Sequence, residues 1–138
     1  MTRINLVEPK ELMDQHLIAE YREMRLLCAN LQRTLDSSLG YVEKKVPKKF
    51  TLNAGHCYFF YNKGLYLHER YESLTAEMRT RGFEPQHPFP KEKWPDHLYK
   101  NWEASEADKN VVRERIKLRI SQKPGWYRYY GKPITPKA

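Results

Sequence analysis

The chain has 138 residues and a formal net charge of +8 at pH 7, from 25 Lys and Arg against 17 Asp and Glu. This length predicts one domain over residues 1–138. The lack of a long apolar run argues against a membrane protein. With only two cysteines, Cys28 and Cys57, the chain is not expected to be a disulfide scaffold, which favours a cytoplasmic, intracellular location. The charge favours a polyanion such as nucleic acid as partner; a basic surface with no dedicated partner is the alternative.

The N-terminal residues Met1 and Thr2 carry the first chemical signal. An initiator methionine before a small residue is normally removed, which would leave Thr2 with a free α-amino group. With a pKa of about 7.8, roughly a quarter of this amine is unprotonated near pH 7.4, against about one lysine in a thousand. It can therefore form a Schiff base without the burial that a lysine needs. Many cytosolic proteins begin with Met-Thr, so the signal is weak on its own.

Residues 12–39 are predicted to form one long helix. Apolar residues recur there at spacings of three and four, the pattern that a helix buries against a core: Leu17, Tyr21, Met24, Cys28, Leu31 and Leu35. On a helical wheel His16, Glu20 and Glu23 follow one edge of this stripe. A carboxylate such as Glu23 can border a pocket there, although a solvated glutamate is the commoner outcome.

Residues 41–82 predict a basic loop and a second helix. The apolar run 53–61 is ambiguous between a strand and a buried turn. Asn62 is expected to cap the second helix and Gly82 to end it. Its buried stripe is predicted to be Leu67, Tyr71, Leu74 and Met78.

Four prolines exclude a regular element from residues 83–102. Ser105 and Asp108 then resemble the capping arrangement of a third helix. Its inner stripe is Val112, Ile116 and Ile120, and Pro124-Gly125 ends it. Since no β-strand pattern is evident, we expect an all-α fold: a single compact domain of three main helices joined by long irregular loops.

Two features of the C-terminal third suit nucleic acid. Arg115 and Arg119 are one turn apart on the third helix, a spacing that suits adjacent phosphates, although solvation or pairing with nearby glutamates is equally compatible. The segment from Trp126 to Lys132 alternates aromatic rings with cations, which can stack on bases while neutralising phosphates. We expect some of these rings to pack against the helices and others to contact ligand.

Motifs for metals and cofactors are not found in the sequence. There is no Gly-rich phosphate loop and no zinc-deaminase signature. His56-Cys57 lacks the second ligand pair of a zinc site, so a structural role is predicted for it. We therefore expect no metal and no cofactor.

Several blocks of the sequence resemble one known family. They are MTRINL at the start, DQHLIAEYRE from Asp14 to Glu23, AGHCYFFYNK from Ala54 to Lys63, Arg81-Gly82-Phe83, and WYRYYGK from Trp126 to Lys132. In this order and spacing they resemble the pyrimidine-dimer DNA glycosylase/apurinic-apyrimidinic lyase family of T-even bacteriophage.

The resemblance implies a monomeric, all-α, cofactor-free enzyme of base-excision repair. Its partner would be double-stranded DNA carrying ultraviolet lesions or abasic sites. The amine of Thr2 would attack C1′ of the 5′ sugar of a cyclobutane pyrimidine dimer, release the base through an imine and nick the strand by β-elimination. Glu23 falls on the essential carboxylate of the family.

The resemblance also implies a set of DNA-binding residues. Five positions that the family uses around its substrate are occupied by Arg3, His16, Arg22, Arg115 and Arg119. The aromatic tail, including Trp126, Tyr127, Arg128 and Tyr129, matches the segment implicated in dimer recognition. The chain departs from the family at Leu26, where a phosphate-binding arginine is expected; Arg25 is the available replacement, but leaves the helix about 100° away.

Two other functions stay open at this point. One is an enzyme of the same chemistry that acts on a different lesion, or only as an abasic-site lyase. The other is a basic DNA-binding protein without catalysis, which would bind DNA in a salt-sensitive manner and form no covalent intermediate.

Overall fold

A computed structural model describes residues 3–133 of the chain. Over this range the regular structure is helical apart from one small antiparallel hairpin, which confirms the predicted all-α class. The helices are α1 (Asp14–Asp36), α2 (His56–Phe59), α3 (Gly64–Thr80) and α4 (Glu106–Gln122), and the strands are β1 (Arg128–Tyr129) and β2 (Lys132–Pro133). Short 3-10 helices cover Pro9–Glu11, Glu43–Lys45, Lys91–Lys93 and Asp96–Leu98. None of the helices described is long and apolar enough to span a membrane.

The longest helix, α1, forms on the apolar stripe that the sequence predicts. Leu17, Met24 and Leu31 on this stripe are buried almost completely, and α1 packs against α3. Burying each such side chain favours folding by about 1.5–3 kcal/mol. The helix is shorter than the predicted 12–39, because the backbone is extended at Met13 and again at Ser37.

The second long helix, α3, confirms its predicted stripe, whose members Leu67, Tyr71, Leu74 and Met78 are all buried. The apolar run before it resolves into α2, a helix of a single turn. Between Gly82 and Trp102 the structure describes no α-helix and no strand, but it does contain two short 3-10 helices, which the proline argument did not predict. The stripe of α3 is therefore confirmed, whereas the run 53–61, predicted to be a strand or a buried turn, contains a short helix instead.

The predicted cap of α3 is wrong. The helix begins at Gly64, Lys63 occupies the cap position, and no side chain accepts a capping hydrogen bond. Asn62 instead donates to Oε1 of Glu43 at 3.0 Å. A side chain at position 64 would place its Cβ 2.5 Å from the ring of Trp94, so glycine lets the proline-rich loop pack closely against the start of α3.

The last helix, α4, begins with the predicted capping box. The backbone N–H of Asp108 donates to Oγ of Ser105 at 3.1 Å, and the N–H of Ser105 donates to Oδ2 of Asp108 at 3.3 Å. Val112 and Ile116 on its inner face are buried. The helix thus presents its other faces, including those of Arg115 and Arg119, at or near the surface.

The C-terminal segment corrects the expectation that the chain has no strand. Arg128 pairs with Pro133 and Tyr129 with Lys132. The two residues between them, Tyr130 and Gly131, both have positive φ, +52° and +79°, as in the tight turns that suit hairpins. Strands of two residues are too short to show an alternating pattern, which is why the sequence gives no sign of them.

The N-terminal segment, residues 3–7, lies within the core without regular structure. Ile4, Asn5, Leu6 and Val7 are each at most 5% exposed. Side chains from α1, α2 and α3 form hydrogen bonds with its backbone. The three helices thus surround the beginning of the chain.

Candidate active site

The predicted nucleophile, Thr2, lies outside the described residues, so the site is built from Arg3 onward. Nε of Arg3 donates a hydrogen bond to the carbonyl oxygen of Leu52 at 2.8 Å. The backbone N–H of Ile4 donates to Nε2 of His56 on α2 at 3.0 Å. The chain immediately after Thr2 is therefore attached to α2 and to the loop that precedes it.

Glu23 is partly buried on the edge of α1. Burial raises the pKa of its carboxyl group, an effect that the positive charge of Arg3 opposes. Burial also raises the pKa of the Cys57 thiol on α2, and the negative charge of Glu23 acts in the same direction. Glu23 is therefore within electrostatic reach of both Arg3 and Cys57. A carboxyl group with a raised pKa is suited to exchanging protons near neutral pH.

A cavity of about 190 Å³ opens beside this part of α1. Its wall combines the N-terminal segment, the first turns of α1, the middle of α4 and the aromatic tail: Asn5, Gln15, His16, Ala19, Arg115, Arg119, Trp126 and Tyr127. The rings of His16 and Tyr127 are stacked, with centroids 4.7 Å apart and planes 22° apart. Five residues predicted to bind DNA therefore meet at one cavity.

The cavity is positively charged. Burial lowers the pKa of Arg115, and the charges of Arg119 and Arg3 lower it further, which places these three cations within electrostatic reach of one another. Burial also lowers the pKa of His16 to about 4, with the same direction of effect from Arg115 and Arg119. His16 is therefore neutral at pH 7, and the guanidinium groups supply the charge that would attract a phosphate.

Two polar atoms at the cavity are buried without a partner among the described residues: Oδ1 of Asn5 and Nδ1 of His16. Leaving such atoms unpaired costs about 1–3 kcal/mol each, and unpaired buried polar groups in a native structure call for an explanation. Both belong to residues that line the cavity. A polar ligand bound there could supply the missing hydrogen bonds.

The aromatic tail is fixed to α1 by Gln15. Its Nε2 donates to the carbonyl oxygen of Trp126 at 2.8 Å, and its Oε1 accepts from the N–H of Arg128 at 2.9 Å. Trp126 is 51% exposed, whereas Tyr127 is 7% exposed. The ring of Tyr127 therefore packs against the protein, and the ring of Trp126 is accessible. The sequence predicts such a division, in which some rings of the tail pack against the helices and others contact ligand.

Arg128 and Tyr129 are not among the residues that line this cavity. Arg128 is exposed, and its Nη1 donates to the carbonyl oxygen of Gly131 at 3.3 Å. The hydroxyl of Tyr129 donates to the carbonyl oxygen of Lys10 at 2.9 Å, and its ring centre lies 4.8 Å from the guanidinium carbon of Arg81. The structure thus separates them from Trp126 and Tyr127, and their contact with DNA stays a prediction.

Arg22 and Arg25 line a second groove, of about 350 Å³, on the other side of the exposed face of α1. Helical geometry places Arg22 about 100° and Arg25 about 160° from Glu23. Leu26, which occupies the position of the missing family arginine, is 55% exposed. The predicted DNA-binding residues therefore divide between two grooves that flank the exposed face of α1.

One buried ion pair was not identified from the sequence. Glu20, fully buried on α1, accepts two hydrogen bonds from Arg70 on α3, at 2.7 Å to Oε2 and 3.0 Å to Oε1. Helical spacing places Glu20 on the edge of the buried stripe, and no motif marks Arg70 as its partner. A signal was present, because Arg70 lies three residues after Leu67 and four before Leu74, on the buried stripe itself.

His56 uses both ring nitrogens in hydrogen bonds. Nδ1 donates to the carbonyl oxygen of Thr51 at 2.7 Å, while Nε2 accepts from Ile4, so the ring must be neutral. Burial lowers its pKa to about 4, and the charges of Arg3 and Arg115 act in the same direction. Within residues 3–133, no three His, Cys, Asp or Glu side chains are arranged as metal ligands.

The buried neutral state of His56 predicts a pH-dependent stability. Its folded pKa of about 4 lies below the unfolded value of about 6.5, so its contribution is complete above pH 6.5 and is lost as the pH falls towards 4. Between pH 7 and pH 5 the free energy of unfolding should fall by about 2 kcal/mol from this residue alone. Urea unfolding of the native protein and of His56→Gln at both pH values checks this. Equal pH dependence in the two proteins would contradict it.

One known family matches most of the chain. A family model described as pyrimidine dimer DNA glycosylase matches residues 1–91, which include the N-terminal segment, α1, α2 and α3. Arg115, Arg119 and the aromatic tail lie after the matched range. The chain therefore belongs to the pyrimidine dimer DNA glycosylase family, and is a DNA-repair glycosylase whose substrate is DNA carrying ultraviolet lesions.

Proposed function

We propose that this protein, acting as a single-domain monomer, cleaves DNA at pyrimidine dimers through an imine formed by its N-terminal amine. After loss of Met1, the nitrogen of Thr2 attacks C1′ of the 5′ sugar, the bond from C1′ to the base nitrogen breaks, and the base nitrogen takes up a proton. The bond from C1′ to O4′ then breaks, O4′ takes up a proton, and the amine nitrogen loses protons as the C1′=N double bond of the imine forms. Removal of a proton from C2′ of the resulting imine then expels the 3′ phosphate by β-elimination. The observation that carries this proposal is that the partly buried carboxyl group of Glu23 lies within electrostatic reach of Arg3, the residue that follows Thr2.

Glu23 is suited to two tasks in this reaction. As an anion it stabilises the cationic iminium that forms at C1′. Because burial raises its pKa, it can also take up and return protons during base loss and elimination. The same anion would raise the pKa of a nearby amine and so reduce its nucleophilicity. The positive charge of Arg3 opposes that effect, as do Arg115 and Arg119 in the cavity of about 190 Å³ lined by His16, called here the His16 cavity.

The cavity lined by His16 and Tyr127 supports binding of the DNA backbone. Arg115 and Arg119 contribute two cations on one face of α4, and the exposed ring of Trp126 is available to stack on a base. Arg22 and Arg25 in the second groove extend the positive surface along α1. Phosphate contacts on both sides of Glu23 would hold the lesion over the predicted catalytic residues.

Reduction by borohydride tests this proposal, because it converts an imine into a stable covalent adduct. The mature protein, with loss of Met1 verified by mass, is mixed with a duplex that carries one thymine dimer and, separately, with an abasic-site duplex. We expect adducts on both duplexes, mapped to Thr2. Trapping only on the abasic duplex would indicate a lyase, or a glycosylase for another lesion. No adduct on either duplex would indicate a DNA-binding protein without this chemistry.

A pair of variants at position 2 provides the matched control. Thr2→Ser keeps a small residue, so Met1 is still removed and the amine stays in place; trapping should continue. Thr2→Leu retains Met1, which moves the amine by one residue and should abolish trapping while DNA binding remains. If both variants trapped equally well, a lysine rather than the terminal amine would be the nucleophile.

A further inference from the structure

The backbone of the N-terminal segment is held by side chains rather than by regular structure. The N–H of Ile4 donates to Nε2 of His56, and the N–H of Asn5 donates to Oε1 of Glu20 at 3.1 Å. Arg70 donates through Nη1 to the carbonyl oxygen of Val7. Each of α1, α2 and α3 thus supplies one side chain that fixes this segment. Buried backbone groups must find partners, and here those partners are specific buried polar side chains.

The segment also contains an unusual backbone conformation. Leu6, which is 5% exposed, has a φ of +59°, in the left-handed region that is unfavourable for a residue with a side chain. Across it, the N–H of Val7 donates to the carbonyl oxygen of Asn5 at 2.5 Å. Such a conformation costs about 1–3 kcal/mol and persists where the surroundings enforce it. On either side of Leu6 the backbone is held by hydrogen bonds, one from the N–H of Asn5 to Glu20 and one from Arg70 to the carbonyl oxygen of Val7.

The position of Glu20 links this arrangement to the proposed chemistry. Glu20 and Glu23 are three residues apart on α1, about 4.5 Å along the helix axis. Asn5 lies three positions after Thr2 and Ile4 two positions after it, so the chain from Thr2 to Asn5 can span at most about 10 Å. The side chain that holds Asn5 belongs to the same helix edge as the predicted catalytic carboxylate. The hydrogen bonds at residues 4 and 5 therefore limit how far the chain before them can extend from this edge.

We propose that Glu20, Arg70 and His56 are positioning residues for the N-terminal amine, holding the first residues of the chain so that the nucleophile is aligned with Glu23. This rests on the proposed function. The buried ion pair of Glu20 and Arg70 is not explained by stability alone, because hydrophobic residues of similar volume often stabilise a core equally well or better. Its particular geometry, with Oε1 of Glu20 shared between Arg70 and the N–H of Asn5, serves to fix an irregular segment.

The test separates positioning from folding. The double variant Glu20→Leu/Arg70→Met removes both buried charges together and with them the hydrogen bonds to Asn5 and Val7. We expect the folded variant to bind an abasic-site duplex with unchanged Kd, while its single-turnover rate of borohydride trapping falls about 10- to 100-fold per folded molecule, as expected for a displaced reacting group. The native protein must first trap at Thr2; failure of that step rejects the proposed function rather than the positioning role.

Leu31→Ala is the matched control. Leu31 is 1% exposed on α1 and lies eleven residues beyond Glu20, so its loss destabilises the core far from the N-terminal segment. It should leave the trapping rate per folded molecule unchanged. A double variant with a trapping rate within twofold of the native protein would overturn the proposal. So would a rate that falls only in proportion to weakened DNA binding.

A second variant keeps the proposal testable if the double variant does not fold. His56→Phe retains a ring of similar size but cannot accept the hydrogen bond from Ile4. We expect its trapping rate to fall about 10-fold with unchanged Kd. A native trapping rate in folded His56→Phe would then overturn the positioning role.

Discussion

Replacing Glu23 with glutamine should lower the single-turnover rates of imine trapping and strand cleavage by about 10²- to 10⁴-fold, the usual contribution of a positioned acid or base. Glutamine is nearly isosteric with glutamate but cannot exchange a proton or carry the charge that stabilises an iminium. DNA affinity should be unchanged or slightly higher, because an anion is removed from a positive surface.

The control for this prediction is Glu114→Gln. Glu114 is exposed on α4, directly before Arg115, so the variant removes the same charge close to the cavity without touching the proposed catalytic carboxylate. Its trapping rate should remain within about twofold of the native rate, since surface substitutions of this kind have small effects. A native rate in Glu23→Gln would contradict a catalytic role for the carboxylate, and unfolding of that variant would indicate a structural role instead.

The pH dependence of trapping provides an independent measurement. The pKa of Glu23 is raised by burial, so the rate should begin to fall, as the pH decreases, at a higher pH than an ordinary glutamate would give. Protonation at low pH removes the anion that stabilises the iminium. The trapping rate of Glu23→Gln should not show this fall at low pH. If both proteins lost activity over the same acidic pH range, a group other than Glu23 would be responsible.

The three long helices could be predicted from the sequence because each has a local signal, whereas the short helix α2 could not. The stripes of α1 and α3 repeat at helical spacing, and the capping box of Ser105 and Asp108 is contained within four residues. The start of α3 was less predictable: Asn62 is a good capping residue by propensity, but the packing of Trp94 against Gly64 decides where the helix begins. That contact joins residues thirty positions apart, and no local pattern reports it.

Residues of the candidate site could be grouped from the sequence only where they lie on the same face of one helix. His16 and Glu23 follow one edge of α1, and Arg115 and Arg119 follow one face of α4, so their grouping could be inferred. The stripe of α3 indicates that Arg70 is buried, but its pairing with Glu20 could not be inferred, because the two residues are fifty positions apart on different helices.

Arg81, which enters the sequence analysis only as part of the block Arg81-Gly82-Phe83, has a fully buried side chain that contacts acidic groups on two elements. Its Nη1 lies 3.0 Å from Oδ1 of Asp14, and its Nε lies 2.8 Å from Oε2 of Glu77. The rings of Tyr129 and Tyr130 lie over its guanidinium group, at 4.8 and 4.6 Å. Arg81 therefore joins α1, the end of α3 and the C-terminal hairpin.

Replacing Arg81 with methionine should lower the free energy of unfolding by about 3–5 kcal/mol, the usual cost of removing one partner from a buried ion pair. Methionine retains the length of the side chain but leaves the carboxylates of Asp14 and Glu77 without their counter-ion. Arg79→Met is the matched control, because Arg79 is exposed on the last turn of the same helix and should change stability by no more than about 0.5 kcal/mol. Urea unfolding at pH 7 measures both. Equal stability of the two variants would contradict the role assigned to Arg81.

The same variant separates the two halves of the aromatic tail. Asp14 accepts hydrogen bonds from the N–H groups of Tyr130 and Gly131 at 3.1 and 2.8 Å, and Arg81 orients that carboxylate. Gln15 holds Trp126 independently of this pair. Arg81→Met should therefore loosen the hairpin while Trp126 and Tyr127 stay at the His16 cavity. If dimer recognition depends on Trp126 and Tyr127, the trapping rate per folded molecule of Arg81→Met should stay within about threefold of the native rate. Those two side chains keep their positions in this variant, and therefore their contribution to aligning the dimer. A larger loss would assign part of the recognition to the hairpin itself.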